Sequence, residues 1–130
     1  MTIVMWVCMA IHFSSPDALR ICAQAQAERF VSVSGVNRTV TVEIVEDARH
    51  FAQYGRDVMA YVIANPMQGC VIRMRPAAAA DARYIAHECA HCLLDWDVMT
   101  SHGLRVDAAE HARREKRADE CADRLMGAGQ

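Results

Sequence analysis

The chain has 130 residues, which suits one domain spanning 1–130 and is too short for two. Hydrophobic residues make up 53% and charged residues 23%, which excludes a disordered chain. The net charge of -2 carries no basic surplus, so direct binding of nucleic acid is not expected.

Residues 2–9 (TIVMWVCM) read as a buried strand. No Lys or Arg precedes Arg20, so the basic start of a secretory signal is missing. Ser14, Ser15, Pro16 and Asp17 cut the apolar run short of the about 20 residues that a membrane span needs, so no membrane partner is expected. Ser15-Pro16 is a helix start, with Ser as N-cap and Pro in the first turn. The helix is expected to run to about Val33, with Gly35 ending it and Leu19, Cys22, Ala23, Ala27 and Phe30 as its inward stripe.

Arg38 to Val45 alternates, with Val40, Val42 and Ile44 on one side and Thr39, Thr41 and Glu43 on the other, which is the pattern of a half-buried strand. Asp47 to Tyr54 is a short helix or ordered loop, and Val58 to Ala64 fits strand or helix equally. A turn at 65–69 leads to a strand over Cys70–Arg75. Pro76 opens an alanine-rich helix expected to run to about Trp96. A last helix starts near Asp107, with Asp107 and Glu110 at capping-box spacing, and ends at Gly127. This order gives an α+β fold, with a short mixed or antiparallel sheet packed on two long helices.

Cysteines 8, 22, 70, 89, 92 and 121 could form a disulfide framework, but Cys22, Cys89, Cys92 and Cys121 lie in apolar helical stretches. Reduced thiols, and with them a cytoplasmic protein, are the expectation. Lys116 is the sole lysine among the basic residues and alanine is abundant, as GC-rich bacterial or phage genomes encode.

The stretch His87-Glu88-Cys89-Ala90-His91 is H-E-x-x-H inside a strong helix pattern. Residues four apart lie about 40° apart around a helix, so the two imidazoles can reach one cation. Glu88 sits beside that face as the base for an attacking water. Apolar neighbours Ile85, Ala86, Ala90, Leu93 and Leu94 argue that the triplet is no accident, because buried helices rarely carry two His and a Glu inward.

A catalytic zinc needs a third protein donor. Asp97 lies six residues after His91, but that arrangement requires a sharp turn where Leu94 stands. Glu115 on the last helix is the other candidate. Asp119, one turn on, is then placed to accept from the far nitrogen of His87 or His91. The competing reading is a solvated charge run over Glu110–Arg124. The apolar stripe Ala118, Cys121, Ala122 and Leu125 beside Asp119 weighs against it. His111 shares the face of Glu115, and Glu120 lies well around the helix from it. Cys89 and Cys92 are at C-x-x-C spacing but face away from His87, so they are read as core. For stabilising a developing oxyanion, Tyr84, His102 and His111 stand unranked.

Two stretches, CVIRMRP with ADARYIAHECAHCLLDW and then EKRADECADRLM, resemble the ImmA/IrrE family of zinc metallopeptidases. That family pairs an H-E-x-x-H helix with a second helix of the type E-x-E-A-N/D-x-F-A-x-x-L-L-M-P. Glu115, Ala118, Asp119, Ala122, Leu125 and Met126 match it, while Arg117, Cys121 and Gly127 depart from it. The resemblance covers about residues 70–127 and implies a small zincin-like, gluzincin-like fold. It implies zinc, Zn(2+), on His87, His91 and Glu115, with Glu88 catalytic. It implies a protein or peptide substrate, such as a helix-turn-helix regulator of a phage or mobile element. The alternative function is a zinc-containing binding module that docks a partner without cleaving it.

Overall fold

The computed structural model describes residues 15–55, 57–100 and 107–128. The strand expected over 2–9, the reading of the first 13 residues and the candidate His102 lie outside them.

Helix α1 (Pro16–Val33) starts on Ser15, whose Oγ accepts from the Ala18 amide at 3.1 Å. Leu19, Cys22, Ala23, Ala27, Phe30 and Val31 form its buried stripe. Strand β1 (Val40–Ile44) follows, then a single-turn helix α2 (Arg49–Ala52) and strands β2 (Ala60–Asn65) and β3 (Gly69–Met74). The stretch Val58–Ala64, left open by its sequence, contributes β2. The sheet order is β1-β3-β2, with β1 parallel and β2 antiparallel to the central β3. Gly69 adopts φ 83°, and a Cβ there would collide with the Thr39 carbonyl oxygen, so only glycine lets these two backbone segments approach. The α1 side chain Gln24 reaches the backbone of β1, donating to the Val40 carbonyl at 2.8 Å and accepting from the Val42 amide at 2.7 Å. That edge of the sheet is thereby partly covered, while β2 forms the other edge among the described residues.

The single helix expected from Pro76 to Trp96 is three pieces: α3 (Pro76–Ala79), α4 (Ala82–Leu94) and α5 (Trp96–Thr100). Asp81 causes the first break. It takes extended backbone and caps α4 by accepting from the Arg83 amide at 2.9 Å, a local bond that competes with continuing the helix. Asp95 ends α4. Helix α6 (Ala108–Ala128) starts where Asp107 accepts from the Glu110 amide at 2.8 Å, and it runs through Gly127 instead of stopping there.

The core lies between the inner sheet face, α1, α4 and α6. Val42, Ile72 and Met74 meet Phe30, Ile85 and Cys89, and Ala118, Ala122 and Leu125 close the α6 side. The fold is α+β. The thiol expectation is corrected: Cys70 at the start of β3 and Cys92 in the last turn of α4 form a disulfide, their Cα atoms 6.0 Å apart. Cys22 is disulfide-bonded too, whereas Cys89 and Cys121 are free and buried. Apolar surroundings do not separate a free thiol from a bonded one, because both bury well. The cytoplasmic expectation loses the support it took from reduced cysteines. Among the described residues no helix is long and apolar enough to cross a membrane.

Candidate metal centre

Helix α4 carries His87, Glu88 and His91, and α6 lies across it. The His87 Nε2 and His91 Nε2 atoms are 3.1 Å apart. Glu115 spans both, with Oε2 at 3.0 Å from His87 Nε2 and Oε1 at 3.0 Å from His91 Nε2. The far ring nitrogens are held by carboxylates. His87 Nδ1 lies 2.8 Å from Asp119 Oδ1, and His91 Nδ1 lies 2.6 Å from Asp95 Oδ2. Asp119 and Asp95 accept on the Nδ1 side, and the Glu115 carboxylate faces both Nε2 atoms, so each ring stands between two acceptors. A positive charge shared by the two Nε2 atoms and Glu115, a proton or a metal ion, relieves the repulsion of that arrangement.

The spacing fits a cation. Metal–donor bonds of about 2.0–2.1 Å in a tetrahedral site place donors about 3.3 Å apart. The two Nε2 atoms sit within a few tenths of an ångström of that, each has a Glu115 oxygen at 3.0 Å, and His87, His91 and Glu115 form a cluster able to hold a metal ion.

No protein-family model, characterised protein or solved structure matches this chain. What the site can do is therefore read from its own geometry.

Glu88 is 7% exposed and borders two clefts, which share it with Ala60 and His87. The first, of about 280 Å³, is walled by Met59, Tyr84 and Asp119. The second, of about 330 Å³, is walled by Val62, Met99, His111 and Glu115. Burial pushes the Glu88 carboxyl up from its ordinary range, and the nearby His91 and His87 offset part of that. A raised carboxyl suits a group that both takes and returns a proton.

Asp95 is the residue that sequence reasoning missed. It is 5% exposed, and besides His91 it accepts on Oδ1 from Arg114 Nη1 at 3.0 Å and Arg117 Nη2 at 2.8 Å. Burial works to raise its pKa, and the bonds from His91, Arg117 and Arg114 outweigh that and hold the carboxyl low. A signal was present, since His91 and Asp95 are four apart, the spacing of facing partners on a helix. Asp97, the alternative third donor, is 67% exposed, faces Arg114 at 3.4 Å and lies outside the cluster. Glu120 is exposed. Arg117 also donates to the Leu94 carbonyl at 3.1 Å and so fastens the end of α4 to α6.

Tyr84 and His111 fall on opposite sides of the site, in the first and second cleft respectively. Cys89 and Cys92 point into the core.

Proposed function

We propose that this chain is a zinc-dependent endopeptidase of small zincin-like architecture, similar to the ImmA/IrrE family. The observation that carries the reading is the convergence of the two Nε2 atoms and the Glu115 carboxylate, with Glu88 lining the same cleft. A zinc ion held by these donors supplies a Lewis acid and brings the ionisation of water close to neutrality. Glu88 takes the proton from the attacking water and delivers it to the leaving amine.

The substrate is an extended protein segment, with a helix-turn-helix regulator as the proposed target. It adds to the sheet at β2, which borders both clefts through Ala60. The neighbouring strand β3 cannot take this role. That strand is central and paired on both sides, so it has no free edge to offer.

The test compares wild-type protein with Glu88→Gln. Both are expected to carry one zinc per chain by elemental analysis. Only the wild type is expected to cut an unstructured peptide library followed by mass spectrometry, and chelation stops it. Equal cleavage by the variant, or purified protein without metal, sinks the proposal. The near-complete burial of Glu88 favours one rival, a zinc-containing module that docks a partner without cleaving it. Full biological activity of Glu88→Gln would establish that rival instead.

A further inference from the structure

The carboxylates behind the two imidazoles are not equivalent. The Asp119 side chain is 58% exposed, and Arg83 Nη2 at 3.8 Å shares its Oδ1 with His87. The Asp95 side chain is 8% exposed, and its two oxygens are divided: Oδ1 receives Arg114 and Arg117 from α6, and Oδ2 receives His91. Arginine only donates, so the two guanidinium groups demand an acceptor at the Oδ1 position.

We infer that Asp95 is a positioning residue whose orientation is locked by Arg114 and Arg117, and that this lock keeps an acceptor, Oδ2, on His91 Nδ1 and so aims His91 Nε2 at Glu115 and His87. Its relevance to metal binding rests on the zinc reading above. Arg114 and Arg117 touch no metal donor, but they decide what faces His91. In Asp95→Asn the amide oxygen must stay with the arginines, so the NH2 group turns to His91 Nδ1. An NH2 group donates, His91 Nδ1 must then accept, and the ring proton moves to Nε2, where it blocks the lone pair facing His87 and Glu115. Asp95→Ala removes the partner without imposing the wrong one. The isosteric change is therefore the more harmful of the two, which is the opposite of what a role in packing alone would give.

The experiment measures Zn2+ affinity by competition with a chromophoric chelator for wild type, Asp95→Asn, Asp95→Ala and Asp119→Asn. The 15N signals of His91 are recorded on the metal-free proteins at mildly alkaline pH. Asp95→Asn is expected to bind about 10- to 100-fold more weakly than wild type, the range for partners behind a metal ligand. Asp95→Ala should lose less than Asp95→Asn. Asp119→Asn should lose only a few-fold, because an exposed amide turns freely to present its oxygen. In the metal-free wild type a proton should remain on His91 Nδ1 facing Asp95, whereas in Asp95→Asn Nδ1 should be bare and the proton should sit on Nε2 facing Glu115. An Asp95→Asn protein that binds more tightly than Asp95→Ala, or that keeps the proton on Nδ1, overturns the inference. If Asp95→Ala does not fold, the tautomer in Asp95→Asn decides alone. Absence of Zn2+ uptake by the wild type would defeat the metal reading, while the tautomer measurement would still judge the lock.

Discussion

The two faces of α4 are held by different physics. Toward the sheet and α1, Ile85, Cys89 and Cys92 are completely buried, and the contacts are dry and apolar. Toward α6, the helix offers His87 and His91 to Glu115 and Asp119, with Asp95 pinned by two arginines. The apolar stripe of α6 is Ala118, Cys121, Ala122 and Leu125, mostly small side chains that each remove little area from water. On the other face α1 contributes Leu19, Phe30 and Val31. The fold thus depends chiefly on one face of α4, and the geometry of the candidate site on the other.

The contrast can be broken most forcefully from the dry side. Phe30→Ala is expected to cost about 3–5 kcal/mol in denaturant unfolding, by the same amount with and without Zn2+. A cost that shrinks when metal is added would mean the two faces are coupled. On the polar side, Zn2+ at a hundredfold excess over its Kd should add about 2.7 kcal/mol of stability. Glu115→Gln is expected to abolish that increment while leaving metal-free stability close to wild type. A large loss in the metal-free variant would show Glu115 serving the fold itself. The smallest effect separates the end of α4 from its middle. Asp81→Ala removes the N-cap and should cost about 1 kcal/mol, with Zn2+ affinity unchanged within twofold. A larger shift in affinity would show that the start of the helix helps aim His87.

The same division explains what could be read from the sequence. Periodicity is a property of burial against one layer, so α1, β1 and α6 were legible from their stripes. The H-E-x-x-H spacing placed His87 and His91 on one face, and the stripe beside Asp119 brought Glu115 and Asp119 to them. Features that depend on the chain meeting itself were not legible. Nothing in Val58–Ala64 says whether it is a strand, because its partner is β3. Nothing in Cys70–Arg75 says that it lies between two neighbours and offers no edge. The Cys70–Cys92 bond joins residues 22 apart whose local settings look like those of free thiols. Asp81 broke a helix that Ala77 to Ala80 and Ala82 favour, because one side-chain oxygen satisfied an amide locally. Asp95 was not legible because it is no third donor: it backs the imidazole of His91 one turn away, and its orientation comes from arginines on α6.

The order of the donors along the chain has a consequence for biosynthesis. Two imidazoles emerge from the ribosome on α4, and the carboxylate that completes the trio follows more than twenty residues later on α6. Chains are made from the N-terminus at about 5–20 residues per second. For that interval a nascent polypeptide holds an incomplete donor set, so the three-residue cluster can form only once α6 has emerged.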